Sequence, residues 1–175
     1  MFKKILLPAL IILTACSSVK DEELPLTSES QKAIDFYKSA FTHWGQGEGL
    51  EARNNFYSAL RVDPNFILAN LYINEPDPQQ RRKYRQTAVD NKKRGSDAER
   101  IQVEMWEAGR DGKSSERLEL AKELVNKYPN SSEAHVWLGL VYTEQFMFDD
   151  AITSYKNAIK INPNYIEAYN GRGNA

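Results

Sequence analysis

A shift of 34 residues lays one part of this chain on another. "EAHVWLGLVY" (Glu133 to Tyr142) aligns with "EAYNGRGNA" (Glu167 to Ala175) so that Glu133 falls on Glu167, Ala134 on Ala168, His135 on Tyr169 and Gly139 on Gly173. The same offset carries Pro129 to Pro163. Self-similarity at a period of roughly 20 to 50 residues marks stacked supersecondary units, each of which buries its apolar face only against its neighbours. The composition suits such a core: at 175 residues, 41% hydrophobic and 27% charged, this is a folded chain and no disordered tail.

The clearest copy, residues 132–165, places Leu138, Gly139, Tyr142, Ala151, Tyr155, Ala158 and Pro163 in the order of the small, large and helix-ending positions of the tetratricopeptide repeat. The chain resembles that family across nearly everything after Gln31. The resemblance implies an all-α fold, a right-handed superhelical α-solenoid of helical hairpins. Gly139 and Ala151 are small enough for the two helices of one repeat to approach closely, while Leu138, Tyr142, Tyr155 and Ala158 build the core between neighbouring helices. Pro163 stops the second helix from continuing.

Other copies depart from the pattern. Residues 33–66 keep Ala40, Ala52, Phe56, Ala59 and Pro64, with Ser39 and His43 where the family favours Leu and Tyr. Residues 98–131 keep Ala121, Leu124 and Pro129, with Met105 and Arg117 at positions where small residues are expected. Arg117 can lay its methylene stem along the helix crossing and send its charge to water. Residues 67–97 lack the consensus but fit a degenerate repeat: a short first helix ("ILANLYIN"), a turn at Glu75-Pro76-Asp77-Pro78 and a long charged second helix, since the two prolines forbid a continuous one. Residues 166–175 read as the opening of a fifth repeat without its second helix. Apolar surface around Tyr155, Ile159 and Tyr169 is therefore expected to be exposed.

The first residues read as an address. "MFKKILLPALIILTACSS" has two lysines, an apolar run from Ile5 to Leu13 and small residues before Cys16. That run is far shorter than the ~20 residues a helix needs to span a bilayer, so residues 1–15 are expected to be a signal peptide. Leu13 to Cys16 resembles the lipobox of bacterial lipoproteins. The resemblance implies that Cys16 becomes the acylated N-terminus and that the partners include a membrane, through the lipid anchor. Cys16 is the only cysteine, so neither an internal disulfide nor a cysteine-based metal site is possible. Ser17 in place of Asp implies, by the same resemblance, the outer membrane of a bacterial envelope, on its periplasmic face or at the cell surface. Lys20, Asp21, Glu22 and Glu23 resemble an acidic surface-export signal, although they lie further from the cysteine than is usual. The alternative is that residues 16–30 are a flexible solvated linker, as Pro25 and the serines suggest.

Catalytic chemistry finds no residues to rest on. "GQGEG" (Gly45 to Gly49) follows a helix instead of a strand and sits where the first repeat must turn, so it reads as a turn and not a phosphate loop. His43 and His135 have no metal-ligand spacing around them, and His135 occupies a packing position. The reading is a non-enzymatic chain with no cofactor, no metal and no small-molecule substrate. Removing residues 1–15 takes the formal net charge from −1 to −3, which gives no pull toward nucleic acid. One segment is basic: Arg81, Arg82, Arg85, Lys92 and Lys93 could form a helix face for anionic lipid or an acidic partner, or a solvated face with Tyr84 and Ala88 turned inward.

Stacked hairpins curve, with first helices lining the concave side. In the tetratricopeptide family partner peptides lie there. The matching positions here are Tyr37, Phe41 and Trp44 in the first repeat, Gln102, Trp106 and Arg110 in the third, and Val136, Leu140 and Thr143 in the fourth. The Lys and Asn pair with which some members clamp a peptide carboxylate is absent from the matching positions. The resemblance thus implies a lipid-anchored adaptor that binds a protein or peptide partner. The alternatives are an assembly lipoprotein of a pilus or secretion machine, or the front of a longer enzyme.

Overall fold

The computed structural model describes residues 20–174. The expectations for residues 1–19, Cys16 among them, lie outside the described residues. Helices follow one another as antiparallel hairpins: α1 (Gln31–Gly45) with α2 (Gly49–Val62), α3 (Ile67–Tyr72) with α4 (Pro78–Asn91), α5 (Asp97–Arg110) with α6 (Ser114–Lys127), and α7 (Ser132–Glu144) with α8 (Phe148–Ile161). A 3-10 turn at Lys92–Arg94 follows α4, and α9 (Ile166–Asn174) packs on α7 and α8. This is an all-α solenoid of hairpins. Among the described residues no helix is long and apolar enough to cross a membrane.

Local chemistry starts and stops the helices. Ser30, Ser96 and Ser131 cap α1, α5 and α7 by accepting from the amides of Ala33, Glu99 and Ala134, and Ser96 forms a full capping box with Glu99. Asp77 caps α4 through Gln79 and Gln80, with Pro78 in the first turn, where its missing N–H is harmless. Each first helix of the three regular hairpins ends by going left-handed at an equivalent turn position: Gly47 (φ 80), Gly112 (φ 70) and Phe146 (φ 61). The amide that follows each one donates back to a carbonyl of the last turn, from Glu48 to His43, Lys113 to Ala108 and Met147 to Tyr142.

The core runs along the array. Phe56, Phe66, Leu68, Leu71 and Ile73 are fully buried between the first two hairpins. Ile101, Ala121, Leu124, Ala134 and Val141 fill the space between the third and fourth. In the third hairpin Met105 is buried, and the close approach is made instead by Gly109, where a Cβ would lie 2.8 Å from Arg117 Nη1. Arg117 lies over that glycine with its guanidinium bonded to Glu144 at 2.6 Å.

Two features depart from the sequence reading. Tyr155 is fully buried, not exposed, because α9 covers it: Cβ atoms on Gly139 and Gly171 would fall 2.6 and 2.3 Å from its ring, so the ring lies between two glycines. Ile159 is half-buried and only Tyr169, at 42%, stays exposed. Residues 20–30 are also no solvated linker. They form a strap along the rim where first helices begin. Asp21 accepts from the Ser132 amide (2.9 Å), the Ser132 hydroxyl (2.7 Å) and Asn162 (2.8 Å). Leu24 is buried beside Ala98 and Leu138, Ser96 donates its hydroxyl to the Pro25 carbonyl (2.7 Å), the Thr27 amide reaches Glu99 (3.0 Å), and Ser28 bonds Asp63 (2.6 Å). The physical reason is that helix starts and the ends of second helices leave backbone and side-chain groups that polar strap residues satisfy.

Candidate functional site

The first helices do line a concave interior, but two aromatic residues cross it. Tyr72 of α3 and Trp137 of α7 stack with ring centroids 5.1 Å apart and planes 15° apart. The Tyr72 hydroxyl donates to Gln102 Oε1 at 2.7 Å. Trp137 borders both of the spaces that result.

On one side lies a mostly apolar cleft of about 340 Å³ between α1, α7 and α9. Phe41, Trp44, Val136 and Leu140 wall it, and Glu133 and Glu167 open onto it. Trp44 is 47% exposed. Glu133 accepts from the Trp137 indole at 3.3 Å, and burial pushes its carboxyl up to about 7, with the neighbouring Glu167 adding to the shift. Burial raises Glu167 as well. Both effects have one cause: a carboxylate taken out of water without a cation nearby favours its neutral form. The array curves until its ends meet, since Asn170 donates to the Gly45 carbonyl at 3.0 Å and a Cβ on Gly45 would strike Glu167 at 2.8 Å. The cleft is thereby bounded on both sides.

On the other side is a smaller cleft of about 260 Å³ beneath Trp106. Arg85 and Arg110 sit against that indole with guanidinium carbons 5.8 and 5.1 Å from the ring centroid. Arg110 also bonds Asp111 at 2.8 Å. Desolvation lowers the Arg85 pKa, and the buried Gln102 Nε2 finds no acceptor, although Oε1 of the same side chain accepts from Tyr72.

The residues expected to meet a partner therefore divide. Phe41, Trp44, Trp106, Arg110 and Leu140 border open space. Tyr37 does not offer a free ring: it is 5% exposed, packed on Phe41 and Phe66 with centroids 5.0 Å away in each case. Gln102 and Val136 are almost wholly buried and reach the clefts only with an edge, and Thr143 turns its hydroxyl to the Gly139 carbonyl (2.9 Å) and Tyr155. Tyr72 and Phe66 fill the interior beside Gln102 and Tyr37, so those two side chains become core. His135 is half-buried, its Nε2 against the Pro129 carbonyl at 3.1 Å.

The basic segment forms no single face. Arg81 donates to the Glu75 carbonyl, Arg85 goes to Trp106 and Lys92 pairs with Glu107, which leaves only Arg82 and Lys93 of the five exposed. A helix with one buried side chain, Ala88, presents its cations all around instead of along one stripe.

Sequence reasoning passed over Tyr72, Trp137, Tyr165 and Asn170, and saw Glu133 and Glu167 only as repeat-aligned positions. An acid recurring at a first-helix position 34 residues on was the available signal. Nothing in the sequence showed that curvature brings both acids to one cleft.

A family model described as TPR repeat matches residues 147–175, which cover α8 and α9. No curated protein matches the chain. Among solved structures, a tetratricopeptide repeat protein from Parabacteroides merdae ATCC 43184 is 16% identical with a TM-score of 0.46, over 83% of this chain and 59% of that one. The MamA protein is 20% identical with a TM-score of 0.41, over 81% and 79%. YrrB, described as a TPR protein with an unusual peptide-binding site, is 21% identical with a TM-score of 0.43, over 81% and 74%. The described residues form an α-solenoid of helical hairpins, and residues 147–175 are similar to the TPR repeat.

Proposed function

We propose that this chain is a protein-interaction module that receives a peptide segment in its concave interior, held at a bacterial envelope membrane through acylated Cys16. The observation that carries the reading is the pair of clefts flanking the Tyr72–Trp137 stack, with the half-exposed Trp44 at one and the arginine-flanked Trp106 at the other. Partly exposed tryptophan and arginine at the mouth of a bounded cavity are the residue types that dominate binding hot spots. The anchor rests on the lipobox resemblance of Leu13 to Cys16.

A photo-crosslinking amino acid in place of Leu140, in cells, tests it. The expected result is one protein adduct in the membrane fraction, with the adduct and the chain leaving that fraction when Cys16→Ala is added. The same adducts from a crosslinker at exposed Lys156 on the outer face of α8 would show the contacts to be non-specific and sink the groove reading. A Cys16→Ala chain that stays membrane-bound would sink the anchor.

A further inference from the structure

The cleft between α1, α7 and α9 has a chemistry more specific than an apolar trough, and this section rests on the groove reading above. Its walls are hydrocarbon and aromatic, from Phe41, Trp44, Val136 and Leu140, yet two carboxyl groups open onto it. Neither Glu133 nor Glu167 hydrogen-bonds a cation among the described residues; the one side-chain donor to Glu133 is the neutral Trp137 indole. The groups that face Glu133 from each surrounding element are acidic or phenolic: Glu167 of α9, Asp21 and Glu23 of the strap, Tyr37 of α1, Tyr72 of α3, and Tyr165 before α9. Lys38 of α1 borders the adjoining space, but Glu23 holds it at 2.7 Å. Asp21 is already saturated by Ser132 and Asn162.

A second, independent sign lies in that adjoining space, which shares Phe41, Glu133, Tyr165 and Glu167 with the cleft. Tyr37 borders it, is 5% exposed, and its buried hydroxyl has no hydrogen-bond partner. Buried polar groups in native proteins are almost always paired, so an orphaned hydroxyl beside uncompensated carboxyls marks a place for a polar group from outside. An ammonium or guanidinium has donors only, and with Glu133 ionised the cleft offers acceptors: two carboxylates, with the lone pairs of the Tyr37 phenol beside them. The apolar walls suit the methylene stem that such a side chain carries, and Trp44 offers its ring at the mouth.

We infer that this cleft is a recognition pocket for a lysine or arginine side chain of the partner peptide, entering with its stem against Trp44 and Leu140 and its cation toward Glu133 and Glu167. Because burial raises the Glu133 carboxyl to about 7, docking a cation below neutrality expels a proton. Affinity then rises with pH, by about tenfold between pH 6 and pH 8 for a single carboxyl that titrates near 7.

The test uses a degenerate octapeptide pool, acetylated and amidated to remove terminal charges, captured on the immobilised full chain at pH 8 and sequenced. The expected result is enrichment of Lys or Arg by about fivefold or more at one position beside an apolar residue, fading at pH 6. It is also expected to be lost in Glu133→Gln, which can still accept from the Trp137 indole. If that variant does not melt cooperatively, Glu167→Gln serves in its place. Enrichment of apolar residues with no cation preference, or of acidic ones, would overturn this inference and leave the groove reading standing. No enrichment of any residue would overturn both. Self-association of the chain that blocks peptide capture would assign the cleft to a second copy and overturn the inference.

Discussion

Tyr155 shows how single atoms set the packing of this molecule. Its ring fits only because neither Gly139 nor Gly171 carries a side chain. Alanine at position 139 would improve intrinsic helix propensity by about 1 kcal/mol, but overpacking a fully buried ring costs about 1 to 3 kcal/mol. The ring cannot retreat into α9, so Gly139→Ala should destabilise by about 1 to 2 kcal/mol in urea denaturation. The opposite sign is expected at Phe146, which is 80% exposed and left-handed where Gly47 and Gly112 stand in the other hairpins. Phe146→Gly removes a backbone penalty of about 1 kcal/mol and should raise the melting temperature, offset partly by glycine's unfolded-state entropy. Glu133 makes stability depend on pH. Its folded pKa, about 7, lies above its ordinary value of 4.5, so the folded state binds the proton more tightly. The stabilisation that this gives is complete below about pH 4.5 and is lost as pH rises through about 7. Glu133→Gln should therefore equal the parent in stability below about pH 4.5 and exceed it by about 3 kcal/mol at pH 8. A constant offset across that range would contradict the assignment.

At the scale of elements, the strap decides more than its sequence suggests. Polar residues with one proline read as linker, and by composition that is correct. The strap is ordered because Asp21, Pro25, Thr27 and Ser28 meet polar groups at helix ends, and because Leu24 reaches the core between α5 and α7. Leu24→Ala should cost about 2 to 4 kcal/mol, as for other buried leucines, and free the strap to proteolysis. A loss below about 0.5 kcal/mol would show that the strap rests on its hydrogen bonds alone. The second hairpin shows an element that was legible from sequence. Pro76 and Pro78 predict the break, and α3 ends at Tyr72 and α4 begins at Pro78. What α3 contributes was not legible: its last residue supplies the ring that stacks on Trp137 and divides the interior.

The whole molecule closes on itself, with Asn170 of α9 bonded to the end of α1. That contact joins the ends of the array, as the Tyr72–Trp137 stack joins its second and fourth hairpins, and it places Glu167 opposite Trp44. Deleting residues 166–175 should uncover Tyr155, lower the melting temperature and increase binding of a hydrophobic dye, because a solenoid end without its covering helix leaves its apolar face in water. An unchanged melting curve would show that α9 is a passive extension. The deletion should also abolish any lysine or arginine preference of the groove.

The sequence by itself determined the all-α hairpin solenoid, since a 34-residue period with small residues at the crossings and helix-ending signals at fixed offsets is local information. It also determined Gly139 as a point of close approach and the break between α3 and α4. Only the tertiary structure decided which first-helix residues are open. Tyr37, Gln102 and Val136 are almost wholly buried while Trp44 and Trp106 stand open at the clefts, because that depends on how far the array curves. Curvature is the sum of small rotations at every interface, and no single residue carries it. The same sum brings Glu133 and Glu167 from successive first helices to one cleft and seats Asp21 between α7 and α8. Periodicity along the chain fixes the units, and packing between the units fixes the site.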